Sequence, residues 1–286
     1  MIGRRKQPFP INRIMGRLAA YGSLFLVSLL IAVPLIWLLI TAFKPQTEYM
    51  SYPIQFLPSR LYLDNFVQAL TMIPFFKYAG QSLFLALTHT ILTVITSAMA
   101  GFAFARFNVA ARNKLFMIII AMLIVPGIVL QIPQFIVFSR LRLIPSYWPW
   151  VLWGLAGSPF YIFLFRQFFA AFPRELEDAA EVDGCGPFRI FWSIFLPNAK
   201  PVLATAFMLN FAAQWGDYIS PLLFLNDDQT TLAVKLNTGY LSPHGQSLTT
   251  IILAAVVLYA LPLVVMFFVG QKYILKGIIT TGLSGR

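Results

Sequence analysis

Six stretches of this chain are too long and too apolar to form the core of a water-soluble domain. They cover residues 18–43, 80–105, 114–138, 147–171, 200–225 and 249–275. A helix needs about 20 apolar residues to cross a hydrocarbon layer of about 30 Å, and lipid offers no hydrogen-bond partner to a bare backbone. Each stretch meets that length. The sequence therefore predicts an all-α integral membrane protein with six transmembrane helices. Composition agrees: 59% of the 286 residues are hydrophobic and 11% are charged, against about 25% charged in soluble domains. Pro34, Pro126, Pro133, Pro159, Pro221 and Pro262 fall inside the stretches. Kinked, packed helices are expected there, because neighbouring helices and hydroxyls can satisfy the carbonyls that a proline frees.

The amino terminus, MIGRRKQPFPINRIMGR, has the basic character of a signal peptide. However, the apolar run behind it, Leu18 to Phe43, has 26 residues, where a cleavable core has about 7–15. It reads as a retained first span. The expected organisation is a short segment at 1–17, a six-helix domain at 18–275 and a tail at 276–286. The loop at 172–197 and the polar loop after the first span are the largest non-spanning pieces.

Orientation follows from the basic residues, which favour the cytoplasmic side. With the amino terminus inside, 15 of the 21 Lys and Arg residues lie on the cytoplasmic side. They include Arg106, Arg112, Lys114, Arg166, Arg174, Arg189 and Lys200. Both termini are then cytoplasmic in a plasma (inner) membrane, and the net charge of +11 belongs to loops rather than to nucleic-acid binding. One cysteine, Cys185, excludes an internal disulfide framework and a multi-thiolate metal site. His89 and His244 are the two histidines, and neither sits in a metal-binding motif. His89, inside an apolar stretch, suits hydrogen bonding between helices. No cofactor or metal is expected, and no constellation of nucleophile and base suggests an enzyme. The sequence contains no phosphate-binding GxxxxGK[ST] loop, so ATP hydrolysis, if it drives this protein, belongs to another chain.

The acidic residues are unevenly placed. Five of the ten, Glu175, Glu177, Asp178, Glu181 and Asp183, lie within nine positions between the fourth and fifth stretches. Pro173 suits a first helical turn, early acids suit the positive end of the helix dipole, and Gly184 suits a left-handed stop. A second short helix, FRIFWSIFL, is expected to follow Gly186-Pro187 and to end at Pro197. Small Ala179 and Ala180 would let another chain approach closely, and the acids would pair with its basic residues. A solvated linker with ordinary surface acids is the alternative.

The stretch DAAEVDGCGPFRIFWSIFLP resembles the signature loop of membrane subunits of binding-protein-dependent ABC importers. That signature runs Glu-Ala-Ala, three residues, Gly, nine residues, then Ile-x-Leu-Pro. Ala179, Ala180, Gly184, Ile194, Leu196 and Pro197 match at those spacings, while Asp178 replaces Glu, keeping the charge but shortening the reach. Such a six-point match arises by chance about once in ten million placements. The segments LPSRLYLDNFVQAL, FAAQWGDYISPLLFL and GQKYILKGIITTGLSGR look like the corresponding parts of carbohydrate permeases. Nearly the whole chain resembles the smaller six-span permease of maltose-type and glycerol-phosphate-type systems. The resemblance implies a second permease, an ABC ATPase dimer and an extracytoplasmic solute-binding protein as partners, besides membrane lipid. It also implies a cytoplasmic coupling helix between the fourth and fifth spans. Glu175, Asp178, Ala179, Ala180, Asp183, Gly184, Ile194, Leu196 and Pro197 would form that ATPase-coupling element, within residues 175–197. An ion-coupled secondary transporter or channel is the alternative. It would be expected to place more ionisable groups in its spans, and the two halves of the chain show no matching repeat.

Polar residues inside spans are the leads to a substrate path. Asn210, Gln214 and Asp217 recur at i, i+4 and i+7 and would share one helix face. Counted from Lys200, Asn210 lies about 15 Å into the membrane. With Trp215 and Tyr218 these residues suit a hydroxyl-rich sugar, or they join helices and line a wet path without selecting anything. The resemblance leaves both readings open, because maltose-type systems hold the sugar on the other permease. It also leaves open whether the tail after Lys276 reaches the ATPase interface or hangs loose.

Overall fold

The computed structural model describes residues 10–283, with side chains from Met15 to Lys272. Among the described residues every regular element is helical, and the one β feature is an isolated bridge between Leu241 and Ser247. In chain order the helices begin with α1 (Pro10–Ala42), α2 (Gln46–Tyr49), α3 (Asp64–Thr71), α4 (Phe75–Arg106) and α5 (Arg112–Met122). They continue with α6 (Gly127–Arg140), α7 (Trp148–Ala156), α8 (Pro159–Ala170), α9 (Glu175–Val182) and α10 (Pro187–Ile190). A π-helical segment, Phe191–Phe195, leads into α11 (Leu196–Asn198). The last four are α12 (Lys200–Trp215), α13 (Ile219–Phe224), α14 (Leu232–Thr238) and α15 (Thr249–Leu283). By length and composition three helices can cross a membrane, or up to six if each bent pair counts as one span.

Two compact units divide the chain. The first comprises Met1–Thr71 and Tyr240–Leu258. Its α1 keeps large apolar side chains such as Leu18, Phe25 and Leu30 exposed, the surface that hydrocarbon would cover. Buried Asn65 secures the exit of α1 by donating from Nδ2 to the carbonyls of Ala42 (2.8 Å) and Lys44 (2.7 Å). Gln46 Oε1 accepts from the backbone N–H (3.2 Å) and hydroxyl (2.9 Å) of Thr250 at the start of α15. The Tyr240 hydroxyl, its pKa pushed up to about 12 by burial, donates to the Ala69 carbonyl at 2.6 Å. These bonds satisfy backbone groups that helix ends leave unpaired.

The second unit comprises Met72–Gly239 and Tyr259–Arg286. Within it α4 packs against α7, α8, α12 and α14. Small residues let the helices close on it. A Cβ at Gly101 would come within 2.6 Å of Phe165 Cβ, and one at Gly154 within 2.7 Å of Leu92 Cβ. The expected fourth span is two helices, because Gly157 takes a left-handed φ of 72° between α7 and α8. The α4 hydroxyls repair that gap: Thr96 Oγ1 donates to the Gly154 carbonyl (2.9 Å), and Ser97 Oγ accepts from Ser158 N–H (3.0 Å).

Other boundaries also differ from expectation. Where the third span is expected stand α5 and α6, bent by 98° at a break that ends on Pro126. The fifth stops at Trp215 and resumes as α13. Pro34 and Pro262 leave α1 and α15 unbroken. The α15 backbone stays helical through Leu283, so most of the expected tail continues the helix that holds the expected sixth span. Residues 1–9 and 284–286, parts of the expected amino-terminal segment and tail, lie outside the described residues.

Candidate functional site

The acidic loop folds as a short helix, a hard turn and an aromatic helical segment. Glu175, Glu177 and Asp178 occupy the first turn of α9, where carboxylates meet the positive end of the dipole. Pro173 stands just ahead of this turn, with Arg174 at the cap. The far end closes with Cys185 N–H donating to the Ala180 carbonyl (2.9 Å) and Gly184 N–H to Glu181 (3.0 Å). That is the Schellman pattern, and Gly184 supplies its left-handed residue with φ 76°. Pro187 opens α10, but Pro197 does not end the second helix: it lies inside α11, directly after the π segment. Proline has no N–H to bond the carbonyl four residues back, and its ring crowds that carbonyl. A widened turn just before it relieves both problems.

The inward side of this loop is aromatic. Ile190, Phe191 and Phe195 join Phe102 of α4 and Phe165 and Phe169 of α8 in one buried cluster, and half-buried Ile194 and Leu196 pack against it. Phe195 lies 4.8 Å from Phe102 and 5.6 Å from Phe169, ring centre to ring centre. Arg106, the last residue of α4, ties these parts together. Its Nη2 donates to the Phe169 (2.9 Å) and Phe172 (2.6 Å) carbonyls at the end of α8. Its Nε lies 3.6 Å from Glu177 Oε2 on α9, and its guanidinium sits over the Phe195 ring at 4.9 Å. The two charged side chains are 5% and 18% exposed. Burial raises the Glu177 carboxyl above the ordinary range, against the opposing pull of Arg106.

The outward side takes in most of α9, with Leu176 and Glu181 exposed as well, and one stripe on it stands out. Glu175, Asp178, Ala179 and Val182 stand at i, i+3, i+4 and i+7 on α9, all exposed, and exposed Asp183 and Gly184 extend it. Val182 is 88% exposed, a bare apolar side chain among acids. The expectation of two outward alanines is corrected here. Ala179 faces out, whereas Ala180 is 6% exposed and belongs to the aromatic cluster. The acids are not all outward either, since Glu177 turns in to Arg106.

The polar stripe on the fifth span does not hold as one face. Asn210 and Gln214 lie on α12, but Asp217 falls in the break after it, where its Oδ1 accepts from Ser220 N–H (3.1 Å) at the start of α13. Asn210 is buried and committed to α4: its Oδ1 accepts from Thr90 Oγ1 (2.9 Å) and lies 3.1 Å from His89 Nδ1. His89 thus joins helices. Trp215 is buried too, donating from Nε1 to the Tyr259 carbonyl at 3.0 Å, and the Tyr259 hydroxyl returns a bond to the Trp215 carbonyl. Gln214, Asp217 and Tyr218 are half-buried.

Sequence reading missed Arg106 as an anchor, counting it only as a positive charge. It also missed Gln131 of α6, whose Nε2 donates to Ser220 Oγ (3.2 Å) while its Oε1 is buried with no partner among the described residues. A polar residue opposite a helix break was the signal available. Among the described residues no group of three or more His, Cys, Asp and Glu could hold a metal.

This architecture has known counterparts. A family model described as binding-protein-dependent transport system inner membrane component matches residues 94–279. The arabinooligosaccharides transport system permease protein AraQ of Halalkalibacterium halodurans is 32% identical over 276 residues, covering 95% of this chain and 98% of its own. The lactose transport system permease protein LacG of Rhizobium radiobacter is 28% identical over 269 residues, with 94% and 97% covered. The fold matches a crystal structure of a bacterial ABC transporter involved in the import of the acidic polysaccharide alginate. That match has a TM-score of 0.79 at 22% identity, covering 93% of this chain and 99% of the other. The chain belongs to the family of inner membrane components of binding-protein-dependent transport systems.

Proposed function

We propose that the chain is a permease subunit of an ATP-driven importer and that it forms, with a second permease, the path for a carbohydrate or polyol. The relatives named for arabinooligosaccharide and lactose transport support that substrate class. An extracytoplasmic solute-binding protein delivers the substrate, and a separate ATPase dimer hydrolyses ATP. The six spans are α1, α4, α5 with α6, α7 with α8, α12 with α13, and α15. The bias of the basic residues supports a cytoplasmic position for both termini and the 172–197 loop.

The observation that carries this reading is the division of the loop into two faces. Outside, the acids, Ala179 and Val182 offer a small, charged and partly apolar surface to a partner. Inside, the Phe cluster and Arg106 fix the loop to the ends of α4 and α8. A push on α9 therefore moves two spans rather than bending a linker. Among the expected spans Asp217 is the main candidate carboxylate, and an ion-coupled carrier would be expected to place more ionisable groups there. The substrate path runs by the breaks in α5–α6 and α12–α13, where Gln131, Gln214, Asp217, Tyr218 and Ser220 supply polar groups. Discontinuous helices serve binding sites in this way in other transporters. Asn210 and Trp215 hold the surrounding helices in place.

Gly184→Glu tests the coupling role. Its side chain strains the left-handed turn and adds an acid to the outward face. Uptake should fall to background while the permease remains in the membrane. Normal uptake at normal expression would contradict the proposal.

A further inference from the structure

Four arginines converge on one cavity beside the root of α9. Arg106 ends α4, Arg112 opens α5, Arg166 lies near the end of α8, and Arg174 caps α9. With Phe104 and Phe172 among the other wall residues, they enclose about 310 Å³. Three of the guanidinium groups are held in place. Arg112 Nη1 donates to the Phe107 carbonyl (3.2 Å), and Arg166 Nε donates to that of Phe104 (3.4 Å). Arg166 also stacks over the Phe116 ring at 3.7 Å, and Arg106 is fixed as described above. Among the described residues Glu177 is the one acid paired with any of the four, and it meets Arg106. Arg112, Arg166 and Arg174 form no ion pair there. The charges feel one another: Arg112 repels Arg166, while Arg174 repels Arg106 and, like Arg106, attracts Glu177.

Exposed Arg174 and half-buried Arg106, Arg112 and Arg166 gather positive charge at the mouth of this cavity, and such a gathering attracts an anion. Rigid guanidinium forks suit phosphate oxygens, which they can grip by paired hydrogen bonds. The position adds a second constraint. Arg106 closes a 32-residue apolar helix and Arg112 opens the next helix, so on the span assignment proposed above the cavity lies where hydrocarbon gives way to headgroups. Beyond Arg112, Leu115 and Ile118 stand exposed on α5, a surface along which an acyl chain can lie. A soluble anion would have no use for that flank.

We propose that this cavity binds the phosphate headgroup of an anionic phospholipid. The inference goes beyond the importer reading and does not depend on the substrate. Its consequence is specific: a headgroup held there touches the α4–α5 turn, α8 and the cap of α9 together. The lipid would then be part of the joint through which the loop moves the spans.

The assembled transporter, in nanodiscs of phosphatidylcholine with increasing phosphatidylglycerol, provides the test. Native mass spectrometry of the released complex counts the retained lipids. The wild type should retain phosphatidylglycerol in preference to phosphatidylcholine. The double variant R112Q/R174Q should weaken that retention about tenfold, and R112K/R174K should restore part of it. R189Q/K200Q, which removes two charges elsewhere on the same side, should retain the wild-type level. Equal retention by the wild type and R112Q/R174Q would overturn the proposal. So would displacement by inorganic phosphate at concentrations comparable to the lipid, which would assign the cavity to a free anion. Retention by the permease alone that vanishes once the ATPase is bound would also overturn it, by assigning the cavity to a partner's carboxylates.

Discussion

The region proposed to take the ATPase's push and the region proposed to line the substrate path are built on opposite principles. Around α9–α11 the inner face is closed: stacked and edge-on phenylalanines fill it, and Arg106 satisfies two backbone carbonyls and faces a carboxylate. Near the breaks at 123–126 and 216–218 polar side chains meet, with Gln131 bonded to Ser220 and its Oε1 buried with no partner among the described residues. Close packing transmits displacement, because a filled core shifts as a block. Polar groups with capacity to spare let helices separate and rejoin around water or a hydroxylated ligand. The contrast teaches what the proposed coupling requires: a loop packed to move as a block, and helix breaks with polar groups to spare.

The sharpest attempt to break that contrast is Phe195→Ala. It removes the ring that touches α4, α8 and Arg106, and should cost about 3–5 kcal/mol. Thermal unfolding of the purified assembly should show the loss, and ATP hydrolysis should continue with little uptake. A stable, fully coupled variant would mean that the aromatic cluster does not carry the motion. Arg106→Gln comes next. It leaves Glu177 buried without its charge partner, and should cost about 3 kcal/mol. The second change E177Q should recover much of that stability, because two neutral amides replace the stranded charge. Gln131→Leu is the mildest. It deletes an unpaired carbonyl oxygen along with one hydrogen bond, so stability should shift by less than about 1 kcal/mol. The uptake rate should change instead. A large loss of stability with unchanged uptake would move Gln131 from the path to the scaffold.

The sequence made some of this legible and hid the rest for identifiable reasons. Long apolar runs mark spans because the bilayer imposes their length, and α1 and α4 lie close to their expected ranges. Prolines were poorer guides. Pro34 and Pro262 leave their helices whole, while the break ending on Pro126 bends a span by 98°. Where a helix does break, a distant neighbour can satisfy the freed groups. At 157–158 that neighbour is Thr96 and Ser97, about 60 positions away. The acidic helix and its glycine stop were readable from local rules of dipole and φ. Which alanine faced out was not, because Ala179 and Ala180 are chemically identical and only the distant Phe cluster separates them. Arg106 and Glu177 are 71 positions apart in the chain, beyond the reach of any local pattern.

Cysteine crosslinking on α9 tests the coupling account most directly. Ala179→Cys and Ala180→Cys differ by one position and about 100° around the helix. In membranes where the assembled transporter is active, a short crosslinker at position 179 should trap the ATPase subunit, and the buried position 180 should not. Absence of a trapped ATPase at 179, or trapping at 180 alone, would contradict the claim that the acidic stripe of α9 is the surface through which this permease is driven.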